Sequence, residues 1–443
     1  MNTPVADFIE NYIKSDFRRM HVPGHKGNEN PFDITEIKGA DVLYHEDGIL
    51  EESQNNASAV FGTAKTVYSA EGSSLGIRGM LSLIKMYAES SGRKPVIAAG
   101  RNAHKVFMTA SALLGIDVRW IYAESNEGVV SAEITPEGLS DFLQSLGEIP
   151  TAVYVTSPDY IGNTADIRGL SAVCREYGVL LAVDNAHGAY LHFLEDDMHP
   201  IALGADMCCD SAHKTLPVLT GGAYLHISEN APESLKRNAS KAMALFASTS
   251  PSYLILSSLD RVNKTLCEGY ADRIKVTAER VAVLKNKLAE NGYILSGNEP
   301  LKLAVRAKEY GYTGTELAEI LRNNRIEAEF SDPDFTVMMI TPENGEDDIK
   351  YLEEILLSLP KRERIKEEMP ELLPCELVMG VRAALFMPSE KISAEKAAGR
   401  ILASPSVSCP PAIPIAICGE RLTENAVECF KYYGVSEIDV ITE

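Results

Sequence analysis

Apolar positions recur along the chain in two alternating rhythms. Val5, Phe8, Ile9 and Tyr12 fall at helical spacing, and the same period returns at Leu75, Met80, Leu81, Ile84 and Tyr87. Between such stretches stand short apolar runs: Val96-Ile-Ala-Ala-Gly100, Thr151-Ala-Val-Tyr-Val-Thr-Ser157 and Val179-Leu-Leu-Ala-Val-Asp184. Runs of that kind suit strands buried on both faces. A helical stripe at Ile167, Leu170, Val173, Cys174 and Tyr177 separates the last two, so the segment predicts a βαβ unit. The pattern therefore predicts an α/β fold with a mostly parallel sheet. Asp184 falls at the carboxyl end of its strand, where open α/β sheets place their ligands.

Further along, a helical pattern spans roughly residues 260 to 291, with Val276, Ala278, Val281, Leu284 and Leu288 as its apolar contacts. Residues 293 to 358 alternate strand-like and helix-like segments, as a smaller α/β domain would. The run Lys361-Arg-Glu-Arg-Ile-Lys-Glu-Glu368 suits a solvated helix or a linker, and Ser404 to Pro414, rich in proline and serine, suits an extended loop. Early in the chain His21-Val-Pro-Gly-His-Lys-Gly27 suits an ordered loop. The expected divisions are an N-terminal helix and loop over 1–28, a large domain over 29–285, a small α/β domain over 286–360 and a C-terminal domain over 361–443.

Composition narrows the function. With 443 residues the chain is too long for one small core. Its net charge of −21 argues against nucleic acid, whose phosphates need a basic surface, and would tolerate a cationic substrate. Cysteines at 174, 208, 209, 267, 375, 409, 418 and 429 form no C-x-x-C pair, so reduced thiols and a cytoplasmic location are expected. The histidines show no metal-binding spacing, and no metal is expected. The N-terminal segment has no apolar core of a signal peptide, and no run reaches the length of a membrane span.

The most specific chemistry lies at Ser211-Ala-His-Lys214, downstream of Val183-Asp184-Asn-Ala-His187. A lysine amine can form a Schiff base with the aldehyde of pyridoxal phosphate (PLP), and a carboxylate can keep the pyridine nitrogen protonated. Lys214 and Asp184 are candidates for those two roles. Gly72-Ser73-Ser74 opens a predicted helix, where backbone N–H groups and two hydroxyls suit a dianionic phosphate; an ordinary serine N-cap is the alternative. His104 follows the strand 96–100 and could stack on the pyridine ring. Ser211 and His213 could bond the phosphate, and His187 could pack beside the Asp184 contact. The alternative for each is a satisfied polar group in a loop.

Taken in order, these segments resemble the Orn/Lys/Arg decarboxylases of the aminotransferase-like PLP superfamily, fold type I. The similarity rests on His21–Gly27, Gly39-Ala-Asp-Val-Leu-Tyr-His-Glu-Asp-Gly48, Glu71-Gly-Ser-Ser74, Arg101-Asn-Ala-His-Lys105, Val183–Gly188, Ser211–Lys214 and Thr249-Ser-Pro-Ser-Tyr-Leu-Ile-Leu256. Gly419-Glu-Arg421 resembles part of the C-terminal module. The resemblance implies decarboxylation of a basic amino acid, arginine or lysine before ornithine, in polyamine synthesis or acid consumption. It implies that Lys214 carries PLP, that Asp184 binds its ring nitrogen and His104 stacks on the ring, and that Gly72, Ser73, Ser74, Ser211 and His213 hold the phosphate. It further implies the short form of the family, without an N-terminal wing domain. A homodimer or a multiple of dimers follows, with Thr249 and Ser250 reaching the partner's phosphate. The proton returned to Cα would come from Lys214 or His213.

Three positions depart from the family pattern: Asn185, where an acid is common; Val106, where serine is usual; and Leu219-Thr-Gly221-Gly-Ala223, where glutamine is frequent. Glu46, Asp47 and Glu420 are candidates for reading the substrate's far end. Competing expectations are an aminotransferase, lyase or aldolase on the same fold, and a non-catalytic homologue. An aminotransferase would need an arginine on the substrate carboxylate, and none can be assigned. Loss of the lysine, aspartate, histidine or serine cradle would mark a non-catalytic chain, and all are present.

Overall fold

The structure is a computed structural model and describes residues 1–45, 47–122, 133–407 and 414–442. The α/β part of the fold holds seven strands: β1 (Lys65–Ser69), β2 (Val96–Gly100), β3 (Asp117–Ile121), β4 (Ala152–Thr156), β5 (Leu180–Asp184), β6 (Met207–Asp210) and β7 (Ala223–Ile227). The chain divides into two compact units. The first comprises residues 1–95, 148–157 and 167–274; the second comprises 96–147, 158–166 and 275–443.

In the first unit the strand order is β1-β7-β6-β5-β4. β4, β5 and β6 run parallel, β7 runs antiparallel to β6, and β1 antiparallel to β7. β1, β4, β5 and β6 therefore all end at the same edge of the sheet. β5 is buried throughout and apolar up to its last residue, Asp184. The helix Ile167–Tyr177 forms as expected and buries Ile167, Leu170 and Cys174. The helix Gly72–Ser90 buries Leu75, Met80, Leu81 and Ile84. Gly76 lets it lie close against β6, where a Cβ would strike the Cys209 sulfur, and Gly79 lets it lie close against the helix Glu233–Ala244, where a Cβ would strike the Met243 sulfur.

The long helix expected from 260 to 291 is two helices, Tyr253–Cys267 and Tyr270–Glu290. Gly269 separates them with φ of +80°, a left-handed conformation open to glycine at little steric cost. In the second helix Ile274, Thr277, Val281, Leu284 and Leu288 are buried, while Val276 is exposed.

In the second unit β2 and β3 pair in parallel, Val96 opposite Asp117. A four-stranded antiparallel sheet follows, built from β8 (Leu295–Ser296), β9 (Lys302–Arg306), β10 (Phe330–Ser331) and β11 (Phe335–Met339) in the order β10-β11-β9-β8. The C-terminal segment packs Leu402, Ile415, Phe430 and Val440 into a common core with Ile161 and Phe335. The charged run 361–368 is not a helix. It is a linker, pinned by backbone bonds from Arg362 to Tyr310 and from Ile365 to Lys308, with the Arg362 guanidinium 4.0 Å over the Tyr312 ring. Residues 408–413 of the proline-rich loop, Cys409 included, lie outside the described residues; Ser406–Val407 pairs antiparallel with Ala416–Ile417. The described cysteines are free, and no described helix is long and apolar enough to cross a membrane.

Candidate active site

The first unit gathers most of the singled-out residues at one sheet edge. Asp184 is the last residue of β5, Ser211 follows β6, and Lys214 lies in the short helix Ala212–Thr215. Gly72 and Ser73 begin the helix that follows β1.

Lys214 Nζ lies 2.8 Å from His187 Nε2. His187 is buried, so this amine has an imidazole as a proton partner within the protein. Asp184 is also buried. Its Oδ2 accepts from the Tyr154 hydroxyl at 3.0 Å and its Oδ1 from the amide of Ala186 at 3.3 Å. Tyr154 pairs with Ala182, two residues before Asp184, which puts both side chains on one face. Burial, and then the adjacent Asp184 carboxylate, push the Tyr154 phenol well above its ordinary value, so it stays a donor. The sequence reading missed Tyr154; its signal was the one tyrosine inside an otherwise apolar strand.

Ser73 is not an N-cap. Glu71 occupies that position, and Ser73 and Ser74 lie within the first helical turn, where helix geometry leaves their N–H groups without intrahelical acceptors. Ser211 Oγ donates to Ser73 Oγ at 2.7 Å, bringing two hydroxyls together at the positive end of a 19-residue helix. Gly72 takes φ of +70° and its amide donates to Gly221 O at 2.7 Å. Gly221 itself has φ of +99°, and a Cβ there would approach Ala70 O at 3.1 Å. That explains glycine at this departure from the family pattern. His213 Nδ1 lies 2.9 Å from Gly222 O and donates to it, leaving Nε2 as the nitrogen a ligand would meet.

Thr249 and Ser250 lie in an exposed turn, where the Ser248 amide donates to the Glu71 carboxylate at 2.7 Å. In the second unit His104 follows β2 and caps the helix Lys105–Leu114, its Nδ1 accepting from Val106 N at 3.3 Å. Val106 contributes its backbone to that cap, a role for which serine is not required.

The proposed readers of the substrate's far end fare differently. Glu46 lies outside the described residues. Asp47 is exposed and precedes the helix Gly48–Phe61. Glu420 is 1% exposed, and both its oxygens are occupied by Arg101 at 2.7 and 3.3 Å and by the Ile417 amide at 2.8 Å. Its charge is already used, so Glu420 is not a ligand for a cationic head group.

The edge thus presents an amine, a buried carboxylate and a hydroxyl pair on a helix N-terminus. These are the three groups that the aldehyde, ring nitrogen and phosphate of PLP require, and the residues present fit that cofactor. Comparison with known proteins agrees. Residues 27–292 match the model of the Orn/Lys/Arg decarboxylase major domain. The chain belongs to the Orn/Lys/Arg decarboxylase family. It is a PLP-dependent decarboxylase of fold type I. It is 30% identical to the Bacillus subtilis protein YaaO, itself uncharacterised, over 97% of this chain and 93% of that one. It is 29% identical to an arginine decarboxylase of B. subtilis, over 96% of this chain and 92% of the relative. The lysine decarboxylase LdcF of Francisella novicida superposes with a TM-score of 0.79 at 15% identity, covering 99% of this chain and 81% of that one, a likeness of fold.

Proposed function

We propose that this family member decarboxylates a basic amino acid at its α-carbon, arginine first and lysine second, releasing the amine and CO2. The observation that carries the reading is the Lys214–His187 contact at 2.8 Å on the edge that also holds Asp184 and the Ser73–Ser211 pair. Relatives named arginine decarboxylase, aligned over nearly the whole chain, support arginine. The net charge of −21 suits a cationic substrate.

PLP, when bound, supplies an electrophilic aldehyde and a protonated ring that accepts the electron pair left when CO2 departs. The chain's own residues do the rest. Lys214 would react as the neutral amine, with His187 Nε2 placed to take up its proton. Asp184, oriented by Tyr154, would pair with the ring nitrogen, and His104 would be the ring's stacking partner. Gly72, Ser73, Ser74, Ser211 and His213 would hold the phosphate through N–H, hydroxyl and imidazole donors. Lys214 or His213 would return the proton to Cα. The chain acts as a cytoplasmic homodimer in polyamine synthesis, with Thr249 and Ser250 beside the partner's phosphate; sedimentation of the holoenzyme tests the dimer.

The deciding assay incubates purified protein and PLP separately with arginine, lysine and ornithine and identifies the amine by mass spectrometry. Agmatine from arginine, absent with Lys214→Ala, is expected. If no amine forms from any of the three while borohydride still fixes PLP on Lys214, another PLP reaction replaces decarboxylation.

A further inference from the structure

Behind the strand ends of the first unit lies a buried polar cluster that the reaction just described does not use. Asp210 Oδ1 accepts from Asn185 Nδ2 at 2.8 Å. Its Oδ2 faces His199 Nε2 at 3.0 Å and His226 Nε2 at 3.4 Å. Cys208 Sγ lies 3.8 Å from Oδ1 and 3.9 Å from His199 Nε2. All five residues have zero exposure. Burial alone would raise the Asp210 carboxyl, but the two imidazoles beside it hold it below the usual carboxylate range; burial lowers His226. An ionised carboxylate only accepts, so the nearer ring, His199, donates to it through Nε2. His226 Nδ1 lies 2.8 Å from the Thr66 hydroxyl.

A carboxylate is costly to bury, and this one sits one peptide bond from Ser211 and four residues from Lys214. Its link, Asn185, immediately follows Asp184. The same two strand ends are tied a second time by the main chain, Asn185 N to Cys209 O at 3.0 Å. We propose that Asp210 is a positioning residue: through Asn185 it locks the strand end bearing Asp184 to the strand end bearing Ser211 and Lys214, and so sets the spacing of the groups that hold the two ends of the cofactor. The inference rests on the roles given to Asp184 and Lys214 above.

The test uses the PLP-loaded protein as wild type, Asp210→Asn and Asn185→Ala. Measured for each are PLP affinity, the pH midpoint of the cofactor's visible absorbance, kcat, KM, and borohydride labelling of Lys214. Asp210→Asn keeps the shape but turns a donor toward donors. It is expected to lower kcat and PLP affinity about 10- to 100-fold and to move the absorbance midpoint, with KM changed little. Asn185→Ala removes one donor only, and should shift the same quantities in the same direction by less. If Asp210→Asn does not fold, Asn185→Ala decides alone. Wild-type affinity, midpoint and kcat in the folded variants would overturn the inference while leaving labelled Lys214, and the functional reading, intact. An unlabelled wild-type Lys214 would instead overturn that reading and this inference with it. Stoichiometric zinc in purified wild type would also overturn it, because the cluster would then be a metal site.

Discussion

Glu420 and Asp210 are both buried carboxylates, held by opposite kinds of partner. Glu420 meets a permanent cation, the Arg101 guanidinium, which grips it through two nitrogens, and takes a third bond from the amide of Ile417. Although burial works against the guanidinium's charge, Glu420 raises the Arg101 pKa, so the guanidinium stays charged. Asp210 accepts from an amide and from one imidazole and has a second imidazole beside it, none of them a permanent cation. The first arrangement suits a clasp whose task is to hold the C-terminal segment to the Arg101 loop. The second suits a place beside Asp184 and Ser211, where a guanidinium would compete for the Asp184 carboxylate. Charge that serves only the fold is cancelled locally; charge beside the chemistry is held in place by polar groups.

The contrast can be tested in order of expected effect. Lys214→Ala should lower decarboxylation by about 10³-fold or more without changing the thermal midpoint appreciably; a large loss of stability would show that the site edge also holds the fold. Glu420→Gln should do the reverse. Breaking a buried pair costs about 3 to 5 kcal/mol, read by urea unfolding, with KM for the substrate unchanged. A raised KM at unchanged stability would return Glu420 to the substrate and erase the distinction.

Much of this was legible before the structure. Strands 96–100, 152–156 and 180–184 declared themselves by their apolar runs, and Asp184, Ser211 and Lys214, singled out by their chemistry, are brought to one sheet edge. The rest depended on contacts between distant residues. Tyr154 and Asp184 are thirty residues apart and Arg101 and Glu420 over three hundred, so no local pattern links them. The break at Gly269 was hidden for another reason: apolar spacing continues on both sides, and only the backbone conformation reveals the interruption. Val276 misled because it fits the stripe yet lies beside it.

Smaller effects sharpen the same comparison. Ser73→Ala should weaken PLP binding about tenfold by removing one hydroxyl from the helix end, read by cofactor titration. Asp260 offers a third kind of buried carboxylate. It accepts from the Ala6 amide at 2.9 Å and the Ser53 hydroxyl at 2.6 Å, and burial pushes it up to about 6 from 3.8. A raised folded pKa gives stability that is complete below pH 3.8 and lost as pH rises through about 6. The thermal midpoint should therefore carry a declining component between those values, and Asp260→Asn should flatten it. A component that instead rises with pH would show that hydrogen bonding outweighs burial at this carboxylate.

Gly76 and Gly79 set the gauge between the helix Gly72–Ser90 and its neighbours, since a single methyl at either would meet sulfur. That gauge is also what lets Ser73 touch Ser211. In a mutational library scored for cofactor retention, these two positions, which offer no side chain to a ligand, should tolerate as few replacements as the serines themselves, and a small compensating residue at Cys209 should restore variation at Gly76.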